Sequence, residues 1–331
     1  MGKWENGKMK LMKTSIIIEW ENVLLSEMKR CTTMLKVLYE QALALKLSAE
    51  IIILSNPEQV SSETVRLIVN ENIQLNTKSS VVVRFEEAIG CHYYELKNYG
   101  AGLADGEILV FVDTDVIPED GWLYELTAPL LENPDVNVVA GNTYIDPVDG
   151  INKAFALGWF FPMRETQPNI KKHGKEFYAN NVAFRKTLFD EYPFPPMPSG
   201  MTRGACEMLA EKLIEKNISI WINSAAQTNH PAPKGWWHFS VRALANGRDR
   251  LLRKKMKPTS GLKSYLYLYS YAFSRIKQTF NRSFDEYDYF KLTLTDKVFA
   301  YSAMIIYYVL VITGGTLTLL FPAITTKLWR V

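Results

Sequence analysis

Ile108-Leu109-Val110-Phe111-Val112-Asp113-Thr114-Asp115 is the stretch on which the fold reading turns. Five consecutive β-branched, aliphatic and aromatic residues are the pattern of a strand buried on both faces of a parallel sheet. Two carboxylates one residue apart then fall at the carboxyl edge of that strand. In open α/β sheets this edge is where ligands bind. Asp-x-Asp placed there suits a hard divalent cation held through one carboxylate, with diphosphate oxygens and water filling the other positions. The plainer reading of Asp113 and Asp115 is a solvated turn after a strand.

The flanking sequence continues the α/β pattern. Residues 15–18 read as a short buried strand, Leu24, Met28, Cys31, Leu35 and Leu38 recur at helical spacing, and residues 51–54 and 81–85 read as further strands. Strands alternating with helical segments predict a mostly parallel sheet with right-handed crossovers. Residues 136–140, 178–184 and 218–222 read as later strands. Residues 207–216 read as a helix with Lys212 and Lys216 in its last turn, where the helix dipole favours cations. The α/β layer closes near Pro233. No Gly-x-x-x-x-Gly-Lys-Ser/Thr is present, which excludes a P-loop. Gly100, Gly102 and Gly106 precede a strand rather than follow one, so they form no dinucleotide fingerprint and read as helix-end and turn glycines.

The chain has 331 residues, 47% of them apolar and 22% charged, and a net charge of +3. These values fit a globular protein with a large core and give no case for nucleic acid as a partner. Three scattered cysteines, Cys31, Cys91 and Cys206, supply neither a disulfide framework nor metal-ligand spacing. Met1 to Lys13 reads as a polar tail without the apolar centre of a signal peptide. Positive charge crowds one stretch: Arg248, Arg250, Arg253, Lys254, Lys255 and Lys257, followed by Lys263, Arg275, Lys277 and Arg282. With Trp236, Trp237 and Phe239 just before them and Tyr265, Tyr267, Tyr269 and Tyr271 among them, residues 234–297 read as helices at a membrane surface. Their plainer reading is a solvated basic face. Residues 298–326 carry no charge and are long enough to cross a bilayer, with a break expected at Gly314-Gly315 and Pro322. The alternative is a buried helix of a soluble protein.

Four stretches, in order, resemble a family 2 glycosyltransferase with the GT-A fold over roughly residues 14–233. They are Ile18-Glu19-Trp20-Glu21-Asn22, then Lys97-Asn98-Tyr99-Gly100 with Ala104-x-Gly106-Glu107, then Asp113-Thr114-Asp115, and finally residues 179–185, Ala-Asn-Asn-Val-Ala-Phe-Arg. By that resemblance Asp115 binds the metal, Mn²⁺ or Mg²⁺, and Asp113 contacts the ribose or the metal's water shell. His230, just after the last expected strand, is a further metal-ligand candidate or a structural loop residue. Glu19, Ser55, Asn56, Lys97 and Asn98 fall on the donor-nucleotide side, and Asn180 and Asn181 on the acceptor side.

The chain departs from the family pattern twice. The second strand ends in Leu54-Ser55-Asn56-Pro57 in place of Asp-Asp-Gly-Ser. The Glu-Asp pair that supplies the base in many relatives falls on Ala205 and Cys206, leaving Glu207 as the candidate base or as a carboxylate that only favours its helix dipole. Trp159, Phe160 and Phe161 are core residues or a stacking surface for an acceptor.

The resemblance therefore implies a metal-dependent, inverting transfer of a sugar from a nucleotide diphosphate to a hydroxyl on a glycan or lipid-linked acceptor, in the synthesis of surface polysaccharide or glycolipid. The uncharged run over 298–326 is preferred as a transmembrane helix, and with the basic stretch before it this predicts a membrane-anchored protein whose catalytic domain faces the cytoplasm, as at a bacterial inner membrane. Two other classes stand beside it. One is a degenerate relative acting as a membrane-bound scaffold. The other is a nucleotidyl-transferring enzyme, which the missing phosphate loop speaks against.

Overall fold

A computed structural model describes residues 2–5, 8–24, 27–45, 48–75, 79–198, 200–256 and 261–329. Met1, Lys257 and Arg330 lie outside them. The chain divides into two compact units: Met1–Thr143, Arg164–Pro195 and Ala205–His230 form the first, and Tyr144–Met163, Pro196–Gly204 and Pro231–Val331 the second. The sequence pattern expects one catalytic domain over 14–233. In the structure, residues 144–163 and 196–204 group with the C-terminal unit instead.

The first unit opens with a hairpin, β1 (Gly2–Glu5) against β2 (Lys8–Leu11), where the sequence reads as a polar tail. Next come β3 (Thr14–Glu19), α1 (Met28–Ala44), β4 (Ala49–Ser55), α2 (Ser62–Asn72), β5 (Val81–Glu87), α3 (Tyr93–Leu103) and β6 (Ile108–Asp113). β3, β4 and β6 are buried along their whole length, as their unbroken apolar runs require. β3 pairs in parallel with both β4 and β6, and β4 with β5. The chain continues through β7 (Ile117–Pro118), α4 (Trp122–Glu132) and β8 (Val138–Tyr144).

The remaining strands of this unit are β9 (Ile170–Lys172), β10 (Asn181–Arg185) and β11 (Ile220–Asn229). The strand order is β5-β4-β3-β6-β10-β8-β11-β7, and β9 also pairs with β11. β10 runs antiparallel to β6 and β8, so the sheet is mixed where the sequence pattern predicts a mostly parallel one. Gly100 lies in the last turn of α3, where a Cβ would press into Leu54 and Ile17, so its absence lets α3 lie close on β3 and β4.

The second unit is helical, with α5 (Gly150–Gly158) from its first segment. Short helices α6 (Lys186–Glu191) and α7 (Ala205–Glu215) belong to the first unit. They are followed by α8 (Gly235–Lys255), α9 (Gly261–Asp285), α10 (Tyr287–Phe290), α11 (Leu294–Leu320) and α12 (Pro322–Leu328) of the second. α11 has the length and composition of a membrane span, but α5, α8 and α9 pack against it and 44% of its most apolar window is buried.

The expected break at Gly314-Gly315 does not occur; the helix runs through both and ends at Leu320, and the break falls at Phe321-Pro322, where α12 begins. A Cβ at Gly314 would collide with the Leu244 carbonyl, and one at Gly247 with the Val311 carbonyl. These glycines therefore let the α8 and α11 backbones meet. Trp159 and Phe161 are core residues of this unit, 1% and 4% exposed. Arg248 does not face solvent. It is fully buried and paired with Asp249 at 2.7 Å, so it cannot reach a lipid headgroup.

Candidate active site

β3, β4 and β6 end side by side. Glu19 is in register with Leu54 on one side and Asp113 on the other, so Glu19, Ser55-Asn56 and Asp113-Thr114-Asp115 share one edge of the sheet. All of them are buried: Glu19 is 0% exposed, Ser55 and Asn56 2%, Asp113 2% and Asp115 7%. Burying this many polar groups is costly unless each is satisfied or is reserved for a ligand.

Asp113 is satisfied from α3. Lys97 Nζ donates to Asp113 Oδ1 at 2.7 Å and to the Val112 carbonyl at 3.3 Å, and the Tyr93 hydroxyl lies 2.8–2.9 Å from both carboxylate oxygens. Tyr93 and Lys97 are four residues apart and so share one face of α3. That spacing was the available signal for Tyr93, which sequence reading missed. The loop after β3 fixes the start of α3: Glu21 Oε2 accepts from the Tyr93 amide at 2.8 Å, and Glu21 Oε1 lies 2.9 Å from His92 Nδ1. A carboxylate at a helix N-terminus is also favoured by the dipole. Lys97 is thus fully buried behind Asp113, whose carboxylate it holds. Asn98, one residue on, points elsewhere. Its amide exchanges two bonds with the backbone of Phe194, at 2.8 and 3.1 Å, which leaves a nucleotide-binding role without structural support.

The Asp115 turn is held from α1. Arg30 Nε donates to the Asp115 carbonyl, and Arg30 Nη2 donates to both the carbonyl and the side-chain oxygen of Asn229. β7 pairs with the end of β11, Ile117 opposite Asn229 and Pro118 opposite Thr228. Extending that register sets His230 opposite Val116, one residue past Asp115. Arg30 therefore ties together the turns that carry Asp115 and His230. Nothing in the sequence marked it, because its partners are two backbone carbonyls and an amide oxygen distant in the chain. Next to Arg30, the Cys31 thiol is pushed up to about 12 by burial, with the carboxylates of Asp115 and Glu19 adding to the effect. This thiol stays protonated and unreactive.

Three polar atoms at this edge are buried with no hydrogen-bond partner among the described residues: Ser55 Oγ, Asn56 Nδ2 and Thr114 Oγ1. Asn56 Oδ1, by contrast, accepts from the amide of Glu58 at 3.1 Å and that of Gly90 at 3.4 Å. The amide is thereby oriented with its NH₂ group available. This is spare hydrogen-bonding capacity of the kind a ribose or base would use.

Asn181 and Asn180 sit deeper. Asn181 Oδ1 accepts from Trp122 Nε1 at 2.8 Å, and its Nδ2 donates to the Ala226 carbonyl at 2.9 Å and to Thr228 Oγ1 at 3.2 Å. Asn180 Oδ1 accepts from Thr143 Oγ1 at 3.1 Å. Both amides are thus part of a buried polar network at the start of β10. Glu207 lies in the first turn of α7. Its neighbour Cys206 has Sγ 3.4 Å from the Tyr94 hydroxyl, and the Tyr94 ring meets the Tyr93 ring edge-on at 4.7 Å. A short chain of contacts thus links the start of α7 to Asp113.

The donor set suits a single hard cation. Asp113 already carries an ammonium, which competes with a metal ion for its oxygens, so Asp115 is the carboxylate suited to the cation, with His230 beyond it. No cluster of three or more His, Cys, Asp or Glu able to hold a metal is assembled among the described residues.

Residues 47–193 match the model of glycosyl transferase family 2, a span that contains Ser55, Asn56, Lys97, Asp113 and Asp115 but not Glu19, Glu207 or His230. No curated protein matches the chain. Among solved structures, the mannosyltransferase PcManGT from Pyrobaculum calidifontis, in complex with GDP-Man and Mn²⁺, is 13% identical with a TM-score of 0.58. The alignment covers 95% of this chain and 88% of that one. GalNAc-T7 with UDP, GalNAc and Mn²⁺ is 14% identical with a TM-score of 0.48, covering 68% of this chain and 44% of that one. The family match supports a glycosyltransferase, and the likeness to the mannosyltransferase shows a GT-A-like α/β fold with a mixed sheet.

Proposed function

We propose that the chain transfers a sugar from a nucleotide diphosphate donor to a hydroxyl acceptor, with inversion at the anomeric carbon. The observation that carries this reading is the shared edge of β3, β4 and β6. There a buried carboxylate is held ready by Lys97 and Tyr93 beside the unpartnered Ser55 Oγ, Asn56 Nδ2 and Thr114 Oγ1. Ser55, Asn56 and Glu19 bind the nucleoside, and Asp113 accepts from a ribose hydroxyl while Lys97 holds its carboxylate in place.

Asp115 and His230 are the residues that would hold a divalent cation, which when bound offsets the charge growing on the departing diphosphate. Arg30 fixes the spacing of those two turns. Glu207 takes the proton of the acceptor hydroxyl as that oxygen attacks the anomeric carbon and the bond to the diphosphate breaks. The second unit keeps the protein at a membrane, where a glycan or lipid-linked acceptor is found.

The GDP-mannose and Mn²⁺ of the mannosyltransferase structure make that pair the first to try. The test is nucleotide release from GDP-, UDP- and TDP-sugars with Mn²⁺ or Mg²⁺, for the wild type, Asp115→Ala and Glu207→Gln. Metal-dependent release from one donor, lost in Asp115→Ala, is the expected result. Glu207→Gln should keep donor affinity and lose transfer; near-wild-type turnover would remove Glu207 as the base. Donor binding that ignores metal and gives no product with any acceptor would favour a scaffold.

A further inference from the structure

The two units carry opposite charge. The second holds 18 Lys and Arg against 7 Asp and Glu, a formal +11, while the first holds 20 against 28, a formal −8. A second asymmetry lies within α9. Its Leu268, Ala272, Thr279 and Ser283 are buried, whereas Leu266, Tyr269, Phe273, Phe280 and Phe284 are exposed, Phe273 by 71% and Phe284 by 66%. These five recur at steps of 3, 4, 7 and 4, which is one side of a helix. Lys277, also exposed, shares that side and has the stem to carry its ammonium past an apolar boundary. A helix facing water turns its charged residues outward, and this one turns out aromatic rings. On α11, Val298, Ile305 and Val309 are exposed in the same manner, and Trp236 and Trp237 stand out from the start of α8.

α11 decides how such a surface meets lipid. Its 27 residues span about 40 Å, and a crossing would place roughly 20 of them in hydrocarbon, with Tyr307 near the midplane. Tyr307 accepts from Trp159 Nε1 at 3.2 Å, and the Arg242 guanidinium lies over the Trp159 ring. Two turns on, Gly314 meets the α8 backbone at Leu244, close to the buried Arg248–Asp249 pair. At the other end Asp296 is bonded to Lys153 at 2.8 Å. A crossing would therefore pull Arg242, Arg248 and Asp249 into hydrocarbon, where charges are strongly disfavoured.

We propose that the second unit docks on the surface of an anionic lipid leaflet. The outward sides of α9 and α11 sink into the headgroup–acyl boundary, and α11 lies in that plane instead of crossing. The formal +11 selects an anionic leaflet over a neutral one, and the aromatic stripe supplies the apolar burial. This inference is independent of the glycosyl-transfer reading, and its test needs no turnover.

The full-length protein is measured for sedimentation with phosphatidylcholine vesicles with and without phosphatidylglycerol, alongside the F273E/F284E variant, whose fold is checked by circular dichroism. Binding that requires phosphatidylglycerol and falls more than about 10-fold in the variant is expected. In sealed membrane vesicles from expressing cells with the first unit outward, protease should remove an epitope placed after Val331 without detergent. An epitope protected until detergent is added would show that α11 crosses, and would overturn the proposal. So would vesicle binding that F273E/F284E leaves unchanged, or no vesicle binding because a second copy of the chain covers the stripe.

Discussion

Lys97–Asp113 in the first unit and Arg248–Asp249 in the second are both buried ion pairs with 2.7 Å contacts, yet they do different things. Arg248–Asp249 is closed on its own backbone. Asp249 Oδ2 accepts from the amides of Thr202 and Arg203 and from Thr202 Oγ1, while Arg248 donates to the carbonyls of Trp329 and Thr325. It staples three distant segments of one unit. Lys97–Asp113 instead stands at the end of a strand, beside three buried polar atoms that have no partner among the described residues. A buried charge does not by itself mark a site; spare polar capacity next to it does.

The sharpest way to break this comparison is Asp249→Ala. It leaves Arg248 buried without its counter-charge, so a loss of about 3–5 kcal/mol is expected in urea unfolding of the full chain. A loss under about 1 kcal/mol would show that the pair holds nothing together. Asp115→Asn is the converse. Turnover should fall by about 10²–10³-fold, with the unfolding midpoint unchanged. A large stability loss there would place Asp115 with the staples.

Arg30→Lys keeps the charge but loses the fork that spans Asp115 and Asn229. Mn²⁺ affinity, measured by the ion's paramagnetic resonance signal, should weaken about 10–100-fold. Unchanged affinity would mean that Arg30 holds only the fold.

The smallest effect concerns Glu50, at the opposite end of β4. Burial alone would raise its carboxyl, but Ser15 Oγ, the Asp105 amide and Arg84 outweigh that and hold it below its ordinary value of 4.5. A carboxyl lowered in the folded state adds stability above its unfolded value and loses it as pH falls through the folded one. Stability should therefore decline on acidification below about pH 4.5, and Glu50→Gln should flatten that decline, as read from melting temperature against pH.

Much of the first unit was legible in the chain. Unbroken apolar runs at residues 16–18, 51–54 and 108–112 fix strands buried on both faces, and their ends predict the shared edge. The antiparallel entry of β10 was not legible, because a strand's direction depends on where its connection lands and not on its own side chains. Asn98, Asn180 and Asn181 match a family pattern, but that pattern does not tell an amide facing a ligand from one bonded to Phe194, Trp122 or Thr143. α11 shows the same limit, since composition cannot distinguish a helix packed in lipid from one packed half in protein.

By itself the sequence determined the shared edge of β3, β4 and β6: the order of strands and acids is local, and a strand that must be buried on both faces has few places to end. Only the tertiary structure decided which polar groups there are already satisfied. It also showed that Arg30 joins the Asp115 and His230 turns and that α11 is held along its length by α5, α8 and α9. Those facts rest on contacts between residues distant in the chain, whose partners are often backbone groups that every residue carries and no sequence pattern records.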